Sequence, residues 1–416
     1  MRLRLRFDAH APLLLGTGGG IQQVRTSGSV IPGAAVVGAI ARHLLSEAGV
    51  FREDPFQADP PRNPELDRLL NDLEAGPLFP VPLAVAGPAD GAGWLRLEAF
   101  RAPSTARTCK RFPGFCAPVP NESRAGDGVI DLLTDAIRGG HVHPKCPKGE
   151  PDHRADRFRS YVYRTDGGGY GEARLSHSAR IRVGLNRSTE TAEEGFLYQV
   201  EPVEPRDEGG YAFVGHGFIP DQLWPELAHR LGGVGQAVKL RVALGGGQSR
   251  GYGWGELTIA PAPPTRPLPA RLEAFHRAVG RDKVLLVADL RSPWPLSDPA
   301  RSPGDEVLAS LQPPTSLKGR IQYKPEYSFL ETELWGGWSM AWGLPKTRQL
   351  ALAPGSVLVF EVTEDTDRDV LLAWMADREA VPSGPEAGTG WLTWFDPFHL
   401  DFAARADDEA AKEASA

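Results

Sequence analysis

The chain has 416 residues, 41% of them apolar, and a formal net charge of −7 at neutral pH. These values exclude an intrinsically disordered protein, fit two or three domains, and disfavour binding to nucleic acid through overall charge. The sequence holds no apolar run of the roughly 20 residues that span a bilayer, and its start alternates charged and apolar residues, unlike a signal peptide. Three cysteines, an odd number, argue against a disulfide framework, so we expect a cytoplasmic protein.

Residues 1–260 are predicted to form a first α+β unit, because stretches of alternating and of helical apolar periodicity follow one another. The predicted elements are, in chain order, a strand at 2–7, a helix at 34–45 opened by Pro32, strands at 180–186 and 196–200, a helix at 223–231, and strands at 237–244 and 255–259. Residues 50–175 are irregular and rich in Pro and Gly. A segment of this length predicts an insertion with small elements of its own.

A second α+β unit is predicted beyond a proline-rich segment. Its parts are, in order, the linker at 261–270, the unit itself at 271–402 with strands at 283–289 and 357–363 and a helix at 367–378, and an acidic tail at 403–416. Strand, glycine-rich turn, helix and strands occur in the same order in both units. This recurrence predicts a repeated α+β domain.

The segment Gly245–Gly255 is the clearest functional candidate. It reads Gly-Gly-Gly-Gln-Ser-Arg-Gly-Tyr-Gly-Trp-Gly, and its six glycines allow the backbone to approach a polyanion closely. Arg250 supplies positive charge, and Tyr252 and Trp254 offer planes on which bases can stack. The segment joins two predicted strands and lacks the Gly-Lys-Ser/Thr ending of a nucleotide-binding P-loop. The alternative is a structural hairpin with Trp254 packed in the core.

Three segments in this order resemble the RAMP (repeat-associated mysterious protein) superfamily of CRISPR proteins. Gly245–Gly255 resembles its glycine-rich loop, and Ser29–Ala41 (SVIPGAAVVGAIA) resembles the start of its first helix. His177–Glu201, which contains HSARIR and then TETAEEG, is similar to a third segment of the superfamily. The long insertion and the second unit most resemble the two-domain RAMP subunit of type III-D effector complexes.

The resemblance implies two ferredoxin-like (RRM-type) domains and a role in binding guide RNA, at its 5′ repeat-derived tag. It also implies protein partners, namely the backbone RAMP subunits and the large polymerase-like subunit of a CRISPR effector complex, and no membrane. In the second unit Gly388–Asp396 holds no basic residue and is better suited to packing or a subunit interface, so the basic candidates there are Lys318 and Arg320. The residues predicted to contact RNA are Arg25, Pro32, Gly33, His177, Arg180, Arg182, Arg187, Gly246, Gly247, Gln248, Ser249, Arg250, Tyr252, Lys318 and Arg320.

The strand at 180–186 supports an RNA-binding surface without reference to any family. Arg180, Arg182 and Asn186 fall on one face because successive side chains of a strand alternate. Ile181, Val183 and Leu185 are then expected to face the core. The alternative is that the arginines are ordinary solvated residues, paired with Glu193 and Glu194.

Catalysis is not predicted. A metal-free ribonuclease needs a general base, a general acid and charge stabilisation at one phosphate, and His43 is a lone candidate base on the first predicted helix. Residues 16–33 hold no Asp or Glu, which argues against target cleavage by a carboxylate of that loop. Two alternatives stay open: a processing endoribonuclease that uses His43, and a protein-binding scaffold without RNA contact.

A structural zinc site is a further candidate within the insertion. Three thiolates and one imidazole satisfy tetrahedral zinc, and a small irregular segment gains stability from a metal ion. The predicted ligands are Cys109, Cys116, Cys146 and His143, with His141 and His153 nearby in sequence. The alternative is three free thiols.

Overall fold

The structure is a computed structural model in which α-helices and mostly antiparallel sheets confirm the predicted α+β fold class. It describes residues 1–16, 24–49, 63–116, 126–139, 146–149, 152–185, 188, 192–205, 209–233, 237–280, 283–298, 300–339, 344–363, 366–384, 386 and 388–403. Within these residues no helix is both long and apolar enough to cross a bilayer.

The first part of the chain contains the strands and helices predicted from sequence, with differences at their ends, and further elements that include the unpredicted eight-residue strand Tyr211–Phe218. The elements are β1 (Arg2–Ala9), β2 (Val24–Thr26), α1 (Gly33–Glu47), α2 (Pro64–Asn71), β3 (Glu74–Ala75), β4 (Phe79–Pro82), α3 (Leu83–Ala86), β5 (Glu98–Arg101), β6 (Ala106–Cys109), β7 (Val129–Asp131), α4 (Leu133–Arg138), β8 (Ala155–Arg157), β9 (Tyr161–Arg164), β10 (Tyr170–Ala173), β11 (Arg180–Leu185), β12 (Ala192–Glu201), β13 (Tyr211–Phe218), α5 (Trp224–Arg230), β14 (Val238–Ala243) and β15 (Trp254–Pro261).

The second part of the chain likewise contains the predicted strands and helix. Its elements are α6 (Leu268–Val279), β16 (Val284–Leu290), β17 (Trp294–Pro295), α7 (Pro303–Ser310), β18 (Ile321–Tyr323), β19 (Thr332–Trp335), β20 (Trp338–Ser339), β21 (Leu344–Pro345), β22 (Gln349–Leu352), β23 (Val357–Val362), α8 (Arg368–Ala380), β24 (Leu392–Trp394) and α9 (Phe398–Asp401).

Two of the sheets have ferredoxin-like connectivity. The first runs β14-β15-β1-β13-β3, with β4 also paired to β13, and all of its pairs are antiparallel. The path β1, α1, β3 and β4, β13, α5, β15 is the β-α-β-β-α-β unit of that fold, with the last strand beside the first. The second sheet, β18-β23-β16-β24, repeats this order through β16, α7, β18, β23, α8 and β24. In the first sheet β14 is an extra edge strand, so Gly245–Gly255 closes a hairpin.

Helices cover one face of the first sheet. Alternate residues of β1, such as Leu5 and Phe7, are buried against α1, where Val36, Ile40 and Leu44 recur at the spacing of a helix face. The second sheet packs in the same way against α6, α7 and α8.

The insertion covers the other face of the first sheet. The alternating start of the chain predicts an amphipathic strand, but Arg4 and Arg6 of β1 are also buried. Arg4 donates to the carboxylate of Glu98 at 3.4 Å, and Arg6 donates two hydrogen bonds of 2.8 Å to the carboxylate of Asp8. These polar contacts stabilise charged side chains beneath protein, because each guanidinium keeps hydrogen-bond partners.

The boundaries of insertion and linker differ from those suggested by the sequence. The short strands β3 and β4 fall within residues 50–175 but pair with β13 in the main sheet, so the insertion follows them. The proline-rich linker is shorter than predicted, since β15 ends at Pro261 and α6 begins at Leu268. Pro269 lies in the first turn of α6, where the missing N–H of proline is tolerated.

The start of α1 is a contact between the two parts of the chain. A Cβ atom on Gly33 would lie 1.8 Å from the carbonyl oxygen of Ala75 and 3.0 Å from Cα of Gly388. Gly33 is therefore buried between backbone segments and serves packing. The Gly388–Asp396 segment packs here, as its lack of basic residues suggested.

A buried histidine joins three separate segments. His399 of α9 places Nδ1 3.1 Å from Asp131 of β7 and Nε2 3.0 Å from Asp289 of β16, and all three side chains are fully buried. Thr105 donates a further hydrogen bond of 2.5 Å to Asp131. Burial opposes protonation of His399, but the two carboxylates raise its pKa well above the usual value. The insertion and the second sheet are thus linked by an imidazolium between two carboxylates.

We expect His399→Asn to destabilise the fold by about 3–5 kcal/mol at pH 6, because it leaves two carboxylates buried without a counter-charge. The pKa of His399 is raised on folding. Its contribution to folding stability is therefore complete below about pH 6.5 and is lost as pH rises towards the folded-state pKa. The difference in the free energy of unfolding between wild type and variant therefore decreases by about 1.4 kcal/mol per pH unit in that range. Chemical denaturation between pH 6 and pH 9 measures it.

The exposed His229 of α5 provides the matched control, and His229→Asn should change stability little at any of these pH values. A stability difference for His399→Asn that does not vary with pH would show that His399 is neutral in the folded protein.

Candidate RNA interface

The backbone of the Gly245–Gly255 loop is held against the segment that follows β1. The N–H of Gly246 donates to the carbonyl of Leu14 at 2.8 Å, and the N–H of Gly253 donates to that of Pro12 at 2.9 Å. Gly245, Gly247, Gly251 and Gly253 all have positive φ, which explains the glycine content. Several loop amides are used within the protein, so charged side chains are the better candidates for ligand contact.

Two reciprocal arginine–tyrosine hydrogen bonds fasten this loop to the β11–β12 hairpin. Arg182 of β11 donates to the hydroxyl of Tyr252 in the loop at 3.0 Å. In the opposite direction, Arg250 of the loop donates to the hydroxyl of Tyr198 in β12 at 3.0 Å. Arg182 and Tyr198 are directly paired in the hairpin, so both guanidiniums lie at one junction. We call Arg182, Tyr198, Arg250 and Tyr252 the loop–hairpin junction.

Two more residues shape the surroundings of the junction. Arg180 lies 2.5 Å from the carboxylate of Glu204, and its guanidinium sits 5.8 Å from the ring centre of Tyr252. On the other side, Arg42 of α1 donates to the side-chain oxygen of Gln248 at 2.9 Å. The amide nitrogen of Gln248 donates to two backbone carbonyls of the loop at 3.1 Å. Gln248 therefore orders the loop.

The two aromatic residues of the loop differ in exposure. Tyr252 is 3% exposed, so its ring does not provide a stacking surface. Burial opposes ionisation of its hydroxyl, but the hydrogen bonds and charges of Arg182 and Arg180 outweigh this and lower the pKa of Tyr252. Trp254 is 42% exposed, with the guanidinium of Arg241 5.9 Å from its ring. Trp254 is thus the accessible ring, contrary to the alternative that places it in the core.

The apolar residues of the β11–β12 hairpin point the opposite way from the prediction. Ile181 is 72% exposed, Val183 48% and Leu197 60%, whereas a core position was expected for Ile181 and Val183. Arg180 and Arg182 share the other face, as predicted, and reach Tyr252. The alternation was recognised correctly, but periodicity does not tell which face of a hairpin packs on the protein.

Other predicted RNA-contact residues fall in several places. His177 is exposed, with Nε2 3.2 Å from the carbonyl oxygen of Ser27, and Pro32 is exposed beside the buried Gly33. The backbone of Arg25 lies in β2, parallel to β12. Arg187 lies outside the described residues. Lys318 and Arg320 are exposed on the turn before β18, in the second part of the chain.

His43 lies on α1 and pairs with a residue of its own helix. Its Nε2 is 3.3 Å from the carboxylate of Glu47, one turn further along. The neighbouring Arg42 is the residue of this helix that reaches the glycine-rich loop.

The predicted zinc ligands are only partly brought together. Cys109 and Cys146 lie close to each other, but the residues that complete the group are Asp127 and His153. Cys116 is exposed and outside this group, and His143 lies outside the described residues.

Comparisons with known proteins find similar solved structures at low sequence identity. No family model matches the chain, and no curated protein matches its sequence. The chain is similar to one in the cryo-EM structure of the type III-B Cmr-beta bound to cognate target RNA, with 12% identity and a TM-score of 0.41 over 86% of each chain. It also overlaps the crystal structure of Cmr4 with 13% identity and a TM-score of 0.26, over 63% of this chain and 100% of the other. The fold assignment therefore rests on strand order.

Sequence reasoning missed several residues of the site. Arg42, Tyr198 and Arg241 become neighbours of the loop only through the packing of α1, β12 and β14. The alternation of charged and apolar residues along β14 is the signal that could have identified Arg241 as an exposed side chain. Arg42 and Tyr198 carry no comparable sequence signal.

Two glycines of the loop provide a matched test of its geometry. Both have positive φ, but a Cβ on Gly253 would lie 2.1 Å from the carbonyl oxygen of Leu244, whereas a Cβ on Gly251 has no neighbour within 4 Å. We expect Gly251→Ala to reduce folding stability by about 1 kcal/mol, because alanine is strained at positive φ. Gly253→Ala should reduce it by at least about 2 kcal/mol more, because its Cβ also clashes with the backbone. Chemical denaturation measures both values, and equal costs would contradict the loop conformation.

Proposed function

We propose that this chain is a non-catalytic RNA-binding subunit of a type III CRISPR effector complex, and that the loop–hairpin junction binds guide RNA. Three sequence segments that resemble the RAMP superfamily support the proposal. The ferredoxin-like order of two sheets, expected from that resemblance, supports it as well.

The charge state of the junction carries the proposal. Arg182 and Arg250 are both exposed, and the hydrogen bonds described above join them to tyrosine hydroxyls. Arg180, by contrast, is paired with Glu204. Among the described residues no carboxylate pairs with Arg182 or Arg250, and a guanidinium oriented without such a partner keeps donors and charge for a phosphate. The junction therefore offers local positive charge on a chain whose net charge is −7.

The covered sheet favours binding at this edge. Many RRM-type domains bind RNA across the open face of the sheet. Here the face that carries Arg4 and Arg6 is buried under the insertion, and the opposite face packs against helices. RNA contact is thus directed to the loops and hairpins at the rim. The exposed Trp254, with Arg241 beside it, offers a stacking surface there.

The proposal extends to the finer expectations of the resemblance. The complex would be of type III-D, the bound segment the 5′ repeat-derived tag, and the neighbours the backbone RAMP subunits and the large polymerase-like subunit. Co-purification of the tagged chain from cells that express the whole complex tests this, with sequencing of the bound RNA ends. Recovery of the same proteins without RNA contact to this chain, judged by crosslinking, would favour the scaffold alternative.

We expect Arg182→Ala and Arg250→Ala each to weaken guide-RNA binding roughly ten-fold, because each removes charge-assisted hydrogen bonds to phosphate. Each variant should also reduce the slope of log affinity against log salt by about 0.7, the value for one phosphate of a single strand. Filter binding of the assembled complex over a salt series measures both quantities.

Arg96→Ala is the matched control, since Arg96 is an exposed arginine paired with Asp166 at 3.0 Å. Unchanged affinity and slope in both junction variants would overturn the proposed binding site. A slope change of the same size in Arg96→Ala would show that the effect comes from net charge alone.

For His43 we propose no catalytic role, and we expect precursor guide RNA to stay intact with the wild-type protein in the presence of EDTA. His43→Ala should leave RNA affinity unchanged, because the imidazole already pairs with Glu47. Denaturing gel electrophoresis of labelled precursor is the measurement. Cleavage that wild type performs and His43→Ala loses would establish the endoribonuclease alternative.

A further inference from the structure

Four side chains from separate segments of the insertion meet beside the small sheet β7-β6-β8. Cys109 ends β6, Asp127 precedes β7, Cys146 lies in a turn, and His153 precedes β8. Each contributes one sulfur, oxygen or nitrogen atom, and these atoms lie within 4.8 Å of one another. Cys109, Asp127 and Cys146 are buried, and His153 is partly buried. The grouping joins residues that are distant in sequence.

Three of the six separations within this group match the edges of a metal tetrahedron. Sγ of Cys109 is 3.6 Å from Nδ1 of His153, Nδ1 of His153 is 3.4 Å from Oδ2 of Asp127, and Oδ2 of Asp127 is 3.8 Å from Sγ of Cys146. Bonds of about 2.0 to 2.3 Å from zinc to nitrogen, oxygen and sulfur separate neighbouring ligands in a tetrahedron by roughly 3.3 to 3.8 Å. The three measured separations fall at these values.

The surroundings of the group also suit a cation bound by thiolates. The backbone N–H of Phe112 points to Sγ of Cys109 at 3.4 Å, a contact that stabilises a thiolate ligand. Lys148 lies 2.9 Å from Oδ1 of Asp127, which leaves Oδ2 directed at the other ligand atoms. Two thiolates, one carboxylate and a neutral imidazole around a divalent ion carry one excess negative charge. The ammonium of Lys148 neutralises it.

A cluster held by hydrogen bonds alone explains this arrangement less well. Thiols are weak donors and acceptors, so they add little to the pairing of Asp127 with Lys148 at 2.9 Å. The separation of 3.8 Å between Sγ of Cys146 and the carboxylate of Asp127 is long for a hydrogen bond to a charged group. A shared cation between the four atoms accounts for all three separations together.

We propose that Cys109, Asp127, Cys146 and His153 bind one structural zinc ion. The two thiols lose their protons to solvent on binding, Asp127 binds through Oδ2, and the neutral imidazole binds through Nδ1. The four protein ligands close the coordination sphere, so the ion has a structural role and no site for substrate. This ligand set replaces the predicted Cys116 and His143.

The position of the site indicates which strands the ion stabilises. It joins the end of β6 to the residues that enter β7 and β8, and so fixes the three strands of this sheet. Strand β7 carries Asp131, the residue that binds His399. Zinc thus supports the contact between the insertion and the second sheet.

Metal analysis of the full-length protein, purified without chelator, tests the proposal. We expect one zinc per chain, and one equivalent of cobalt in its place should give the intense visible bands of tetrahedral Co²⁺ with a thiolate charge-transfer band. Cys109→Ser and Cys146→Ser should lose the metal and the charge-transfer intensity. Asp127→Asn should weaken zinc binding at least about ten-fold, measured by competition with a chromophoric chelator.

Cys116→Ser is the matched control, because Cys116 is the third cysteine and lies outside the group. It should keep full zinc content and an unchanged cobalt spectrum. Wild-type protein without zinc and without a cobalt–thiolate band would overturn the proposal, whether or not the variants fold. Loss of metal in Cys116→Ser together with full binding in Asp127→Asn would overturn the ligand set.

Discussion

The imidazolium of His399 between Asp131 and Asp289 is the interaction on which the arrangement of this chain depends. It joins the insertion, the second sheet and the last helix at one fully buried point. A charged triad in the core is stable only while each member keeps its partners. The ionic contacts of Asp396 with Arg164 of the insertion, at 2.9 Å, and with Arg291 follow the same principle nearby. The insertion is therefore an integral layer between two ferredoxin-like sheets.

This layer explains why the candidate RNA interface lies at an edge of the first sheet. With one face under helices and the other under the insertion, the surface that remains is formed by loops and by the β11–β12 hairpin. The glycine-rich loop is bound to Pro12 and Leu14 by its backbone and to the hairpin by its side chains. A ligand at this junction would meet guanidiniums that are already oriented, which lowers the entropic cost of binding.

The sequence was sufficient for many of the elements, because periodicity and glycine or proline positions are local signals, but it did not predict β13, α6 or α7. It did not predict features that depend on packing between segments distant in the sequence. The direction of Ile181 and Val183, the burial of Arg4, Arg6 and Tyr252, and the grouping of Asp127 with Cys109 are all of this kind. The helix α6 was missed because the prolines near its start indicate a linker, although proline is compatible with a first helical turn.

The buried arginines of β1 have an evolutionary consequence. Arg4 and Arg6 are tolerated under protein because the carboxylates of Glu98 and Asp8, and carbonyl groups at Leu97 and Ala86, accept their hydrogen bonds. Leu97 lies within the insertion, immediately before β5. A homologue with a shorter insertion would leave this strand face in water, where the arginines have no packing role. We expect the identity of these two positions and the length of the insertion to vary together among related sequences.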